Sequence, residues 1–311
     1  VDYSKLAMEL AAHIREAVRP LIGTVASRKV TGTASSGDAT FSIDNVAEDA
    51  VEEFITRRGL EVVYYTEDAG LRTFGTPEAA LIIDPIDGSR GAKAGFECCV
   101  ISVAVAEYKP SVKMRDVVAG CVYELKDDAA FVAGRNLGVK VYRNGSEVVP
   151  VRSEVDHIEY AAWSAEIAGR PAALIMQIIG DAVDASSIRG GFFILNSTAF
   201  SLSRLVNGQL SAVVDVGGRL IKDYPVSRAG FERAGAGSIM GLFPYDFAAA
   251  ALIAQEAGCV VTDGYGRALD DVNLFDSSEG NIQSIIAAST PALHAKFLDE
   301  VERGFARFLS D

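Results

Sequence analysis

Cysteine is scarce in this 311-residue chain: Cys98 and Cys99 are adjacent, and Cys121 and Cys259 stand alone. That pattern excludes a disulfide framework and a C-x-x-C metal pair, and predicts small buried hydrophobes in a reducing compartment. Histidine is scarcer still, and His13, His157 and His294 lack ligand spacing, so no zinc site is expected. Positive charge is in the minority, with 29 Lys and Arg against 42 Asp and Glu for a net charge of −13. Bulk attraction to a nucleic-acid polymer or an anionic membrane is thereby excluded. Taken alone, the same sum also speaks against an anionic substrate. No uncharged apolar run reaches the roughly 18 residues of a membrane span. The N-terminal stretch LAMELAAHIREAVRPLIG carries charges at helical spacing, so a helix is expected there, not a span or a leader. A cytoplasmic location is the expectation.

What the chain does have is apolar residues, 49% of the total, enough to build about two hydrophobic cores at this length. Residues 3–28 show helical periodicity, and the Gly/Ser/Thr-rich TGTASSGDAT after them has none and reads as a mobile loop. Asp44 to Arg58 reads as a second helix, with Asn45 and Glu48 at capping-box spacing and Gly59 at its end. Strands follow at LEVVYYTED, AALIIDPIDGS, 100–108 and 117–125, and Asn144-Gly145 marks a hairpin. Helix and strand then alternate to a closing helix, ALHAKFLDEVERGFARFLSD. The pattern predicts two domains: 1–150, helices on a largely antiparallel sheet, and 151–311, an α/β layer.

The segment LIIDPIDGSR carries the chemistry. A hydrophobic strand ends at Asp84, Pro85 stops it, and Asp87 follows three residues on beside Gly88 and Ser89. Two carboxylates thus converge on a small-residue turn whose N–H groups can face an anion. Oxygen-only donors suit a hard divalent ion, Mg²⁺ before Zn²⁺. Taken singly, Glu67-Asp68 reads as a solvated strand end, Asp44 as a helix-start residue and Asp246 as a first-turn acid. Together with Asp84 and Asp87 they place acids at four element ends, as a multi-metal site requires.

Asp84-Pro85-Ile86-Asp87-Gly88-Ser89 resembles the D-P-x-D-G-[TS] hallmark of the Mg²⁺-dependent, lithium-sensitive phosphomonoesterases that include inositol monophosphatase and fructose-1,6-bisphosphatase. Glu67-Asp68 upstream and Tyr245-Asp246-Phe247-Ala248-Ala249 downstream match the family's acidic pair and its W-D-x-A-A/G motif. The segment GDATFSIDNVAEDA looks most like the archaeal branch, which often accepts both inositol monophosphate and fructose 1,6-bisphosphate. The resemblance implies a layered αβαβα sandwich of mixed α/β (α+β) class. It also implies two or three Mg²⁺ ions and, as partner, a small phosphorylated sugar or cyclitol, with a homodimer or higher homo-oligomer as the assembly.

Carried over by position, Glu67, Asp84, the Ile86 carbonyl, Asp87 and Asp246 are the implied metal ligands, with Asp68 acting on a possible third metal. Asp44, Ser89 and Glu67 are the implied catalytic residues for an attacking water, and Gly88 and Ser89 hold phosphate. Asn196, Ser197, Thr198, Ala199 and Asp215 correspond to ring contacts, although a helix start and a strand end explain them as well. Ser89 for Thr, Asp68 for Glu and Tyr245 for Trp depart from the common pattern, and residues 216–244 are longer than in the simple inositol enzymes.

Three other readings compete with this one. A haloacid-dehalogenase-type phosphatase needs D-x-D, and here the separation is three with a proline between. A dinucleotide binder at Gly235-Ala236-Gly237-Ser238-Ile239-Met240-Gly241 lacks the spacing and the preceding strand, so a flexible loop is expected. A non-catalytic regulatory member of the fold has no need for so many repelling acids. Within the same superfamily, a 3'-phosphoadenosine-phosphate-type nucleotide phosphatase is the alternative substrate reading.

Overall fold

The computed structural model describes residues 2–33 and 39–308. The first helix, α1 (Tyr3–Val18), starts where Asp2 accepts the Lys5 N–H. It ends at Val18 and not near residue 28, because Pro20 has no N–H to return to the preceding turn; a 3₁₀ turn, Arg19–Leu21, takes over. The expected open loop is in part a two-stranded ribbon, β1 (Val30–Thr33) against β2 (Ala39–Phe41). Its central residues, 34–38, lie outside the described residues. The next helix, α2 (Ser42–Arg58), begins two residues earlier than expected. Its start is fixed by Asp44, whose Oδ2 accepts the Phe41 N–H at 2.7 Å, and not by Asn45 and Glu48. Gly59, at φ 58°, closes it.

The large sheet uses β3 (Val62–Thr66), β4 (Gly70–Phe74), β5 (Ala79–Asp87), β6 (Val100–Glu107), β7 (Val117–Glu124), β8 (Ala129–Gly134), β9 (Gly138–Arg143) and β10 (Ser146–Val148). Its order is β10-β9-β8-β7-β6-β5-β3-β4, antiparallel throughout except for the parallel β3–β5 pair. The short helix α3 (Ser89–Ala94) interrupts it after β5. Asn144 and Gly145, both at positive φ, form the expected hairpin turn.

The second half supplies β11 (Ala162–Ala165), α4 (Ala172–Ser186), β12 (Gly191–Phe193), α5 (Thr198–Val206) and β13 (Ala212–Asp215). Then come α6 (Gly217–Asp223), α7 (Arg228–Ala234), α8 (Pro244–Glu256), β14 (Val260–Asp263), β15 (Ile285–Ala288) and α9 (Pro291–Phe308). The smaller sheet has the order β12-β11-β13-β15-β14. The long 216–244 segment is therefore partly helical.

Single-residue alternation builds the layers. Along β5, Ala80 and Ile82 enter the central core while Ala79, Leu81 and Ile83 enter the core under α1 and α2. Along β15, Ile285 and Ala287 face the central core while Ile286 and Ala288 face α4 and α9. The result is α1/α2, large sheet, α5/α8, small sheet, α4/α9: the five-layer αβαβα sandwich. Helix α8 is apolar all round because sheets cover both sides of it, and Phe247 to Ala254 are fully buried.

One charged tie crosses this central core. Arg204 of α5 donates to Glu124 of β7 at 2.6 Å and lies over the rings of Phe131 and Phe200. Both partners are nearly buried. Arg204→Ala is expected to cost about 3–5 kcal/mol by leaving Glu124 buried without its cation, read as a lower urea midpoint. The double replacement Glu124→Leu/Arg204→Met should recover most of that loss.

Candidate active site

The site begins with a fault in a strand. Opposite β6, Asp84 pairs with Ser102 and Asp87 with Val100, so three steps on β5 face two on its partner. Pro85 sits in this bulge with no N–H to offer the ladder. Asp84 Oδ1 accepts the Ile86 N–H at 3.0 Å, and both carboxylates stay on the strand, which resumes pairing at Asp87 instead of ending at Asp84. Gly88 follows at φ 90°, and Ser89 starts α3, its hydroxyl donating to the Ile86 carbonyl at 3.0 Å. A Cβ on Gly88 would stand 2.5 Å from the Cys98 carbonyl oxygen, in a conformation that L residues rarely adopt. Gly88→Ala is therefore expected to lower the melting temperature, with a cost of about 2 kcal/mol or more.

Asp246 arrives from the other half of the chain. It is the third residue of α8, and its Oδ2 accepts the Phe243 N–H at 2.7 Å. Ligand atoms of Asp84, Asp87 and Asp246 lie within 4.8 Å of one another. Burial, then the charges of Asp87, Asp246 and Glu67, push the Asp84 carboxyl well above the usual range. Asp246 is raised likewise by burial, Asp87 and Glu67. Burial raises Asp87 to about 6, against hydrogen bonds from the Ser197 hydroxyl at 2.8 Å and the Ala199 N–H at 2.5 Å.

These acids line a cleft together with Glu67, Ile86, Gly88, Ser89, Ser197 and Thr198. Asp44, Asp68 and Glu48 meet Glu67, Asp84 and Ser89 in an adjoining crevice, where the Thr40 hydroxyl donates to Asp68. Glu48 is pushed to about 7, chiefly by burial. Ala199 turns its N–H to Asp87 from inside the core. Asp215 does not line the cleft: it is buried behind it, bonded to the Arg170 guanidinium at 2.7 Å and to the Gly217 N–H at 2.8 Å.

Arg170, which does line the cleft, was missed by sequence reasoning, as was Glu166. Burial raises Glu166 to about 7 against the opposing Arg170 charge, and its carboxylate takes the Ser201 hydroxyl. Both follow β11 in a stretch with no motif; the only signal was a charged pair after a buried strand. Met240 and Gly241, expected as the end of a flexible loop, form a wall of the cleft with Leu242 and Phe243, and Leu242 is paired to Gln283.

Like charges packed this closely and taken out of water repel unless a cation offsets them. The cleft residues offer carboxylates, a carbonyl and hydroxyls with no Cys or His among them, a donor set that fits a hard divalent ion. No described helix is long and apolar enough to cross a membrane.

Comparison with known proteins places these features. A fructose-1,6-bisphosphatase/inositol-1-monophosphatase of Thermococcus kodakarensis is 27% identical over 284 residues, covering 91% of this chain and 92% of the relative. One of the same name from Methanothermobacter thermautotrophicus is 26% identical, covering 96% and 95%. The crystal structure of the extragenic suppressor protein SuhB from Bartonella henselae superposes with a TM-score of 0.71 at 18% identity, covering 96% of this chain and 98% of that one, and so shares the fold. The model of the inositol monophosphatase family matches residues 2–304, and with the three acids converging beside its D-P-x-D-G-S turn, the chain belongs to that family of phosphatases.

Proposed function

We propose that the protein is a Mg²⁺-dependent phosphomonoesterase that hydrolyses sugar or inositol phosphates, fructose 1,6-bisphosphate and myo-inositol monophosphate among them, by direct attack of water. The observation that carries this reading is the convergence of Asp84, Asp87 and Asp246 beside the Gly88–Ser89 turn. Glu67, Asp84, the Ile86 carbonyl, Asp87 and Asp246 would hold the ions, and Asp68 would serve a third. Bound divalent cations supply charge neutralisation at the phosphoryl oxygens and a more acidic water.

The chain's own groups do the rest. Gly88 and Ser89 turn their N–H groups to the phosphate. Ser89 spends its proton on the Ile86 carbonyl, which leaves its oxygen free to accept from the attacking water. Glu67 and Asp44 would take one proton from the water as its oxygen bonds to phosphorus and return it to the ester oxygen, which departs as the alcohol when its bond to phosphorus breaks. Ser197 and Thr198 face the ring of the substrate, and Ala199, through its N–H, fixes Asp87. Asp215 acts at one remove by holding Arg170 in the cleft.

Phosphate release from fructose 1,6-bisphosphate and from inositol 1-phosphate, with and without Mg²⁺, tests the proposal. Release that depends on Mg²⁺ is expected, and no release from any sugar or cyclitol phosphate overturns it.

A further inference from the structure

A second hollow, of about 330 Å³, lies between α6, the turn after β14 and residues 279–284. It shares no lining residue with the carboxylate cleft. The two are separated by a pair of bridged residues, since Leu242 lines the cleft and Gln283, whose N–H donates to the Leu242 carbonyl at 2.9 Å, lines the hollow.

Three cations surround one ring there. Arg219, Arg267 and Lys222 stand 4.7, 4.8 and 5.8 Å from the centre of Tyr265. Arg219 is fully committed to Glu302, Asp223 and the Gly264 carbonyl. The nearby acids are committed too: Asp263 Oδ1 accepts the Tyr265 and Arg267 N–H groups at 2.8 Å, and Glu279 is paired with Arg228. Lys222 and Arg267 are left with no ion pair among the described residues, on a chain whose net charge is −13. Ser284, nearly buried at the floor, accepts the Arg219 N–H and keeps its own proton for a ligand.

We propose that this hollow is an effector site for a small phosphorylated anion, with Lys222 and Arg267 as its charge contacts and Ser284 as a donor. Charge-assisted bonds to phosphate oxygens are the interaction these groups can make and currently lack. The volume falls within the range of small-molecule pockets.

The helix that carries Lys222 also reaches the active site. Its first residue, Gly217, donates to Asp215, and the other oxygen of Asp215 holds Arg170 in the cleft. Its second residue, Gly218, abuts the Gln283 carbonyl so closely that a Cβ would stand 2.4 Å away. An anion drawn to Lys222 thus acts on a helix that cannot shift without moving the Arg170 clamp or the cleft wall. The coupling reads out in KM, and reciprocally in anion affinity. This coupling rests on the proposed reaction; the binding does not.

Calorimetric titration of the EDTA-treated full chain with inorganic phosphate tests the site. Saturable binding is expected, preserved in Asp84→Asn and weakened at least about tenfold in Lys222→Ala/Arg267→Ala. If the double variant fails to melt cooperatively, Lys222→Gln, at an exposed side chain, replaces it. No binding, or equal binding in the variant, overturns the site. With Mg²⁺ present, sulfate as probe should shift the KM for fructose 1,6-bisphosphate in the wild type and not in the double variant. A KM shift that persists in the variant, or binding with no KM shift, removes the effector role.

Discussion

Asp84→Asn is expected to lower kcat for fructose 1,6-bisphosphate by about a thousandfold or more, because it removes one of the charges that hold the cations against the phosphoryl group. The structure makes Asp84 the cleaner choice over Asp87. Asp84 makes one local bond, to the Ile86 N–H, which an asparagine carbonyl can keep. Asp87 takes both the Ser197 hydroxyl and the Ala199 N–H, so it also seats the start of α5. From sequence alone, Asp87→Asn should remove most activity and leave the fold intact; the bonds to α5 add a structural cost to that change. A melting curve beside the kinetics separates the two effects, and an unchanged kcat in Asp84→Asn would refute its assignment.

Stripping divalent cations should abolish turnover and also lower thermal stability. A ligand at a hundred times its Kd stabilises the folded state by about 2.7 kcal/mol, which for a chain of this size raises Tm by about 4 °C. The pH dependence has a definite sign. The carboxyls of Asp84, Asp87 and Asp246 lie above their unfolded values, Asp87 at about 6. The metal-free fold binds more protons than the unfolded chain there, so this contribution to stability is lost as pH rises through the folded values. The EDTA-treated protein should melt lower near pH 8 than near pH 5, and Mg²⁺ should raise the melting point most at the higher pH. A Tm indifferent to both EDTA and pH would count against the carboxylate cluster as a cation site.

Much of this was legible from residues alone, for identifiable reasons. The continuous apolar runs of β5 and β6 and the Asn144-Gly145 turn are local signals, and the large sheet follows from them. Asp84 and Asp87 are neighbours in a motif, so their meeting could be anticipated. The ends of two helices are also set locally, that of α1 by Pro20 and the start of α2 by Asp44 bonding back to Phe41. What could not be read is set by contacts distant in sequence. Arg170 and Glu166 enter the cleft only because β11 pairs beside β13, and Asp215 turned out to hold Arg170 instead of facing substrate. The net charge of −13 also reads differently now: eight of the acids meet at the cleft and its crevice, where cations would reverse the local sign for a phosphate ester.

The sandwiched position of α5 and α8 has a kinetic consequence. Asp87 belongs to a sheet built largely from consecutive hairpins, which can form early, whereas Asp246 rides on a helix that must be enclosed by a second sheet in which the late strand β15 sits between β13 and β14. Closing that enclosure needs contacts of long sequence separation, the slow kind in folding. A refolding chain should therefore regain most of its secondary structure before it gains tight cation affinity. The rate at which that affinity appears then times the docking of the central layer.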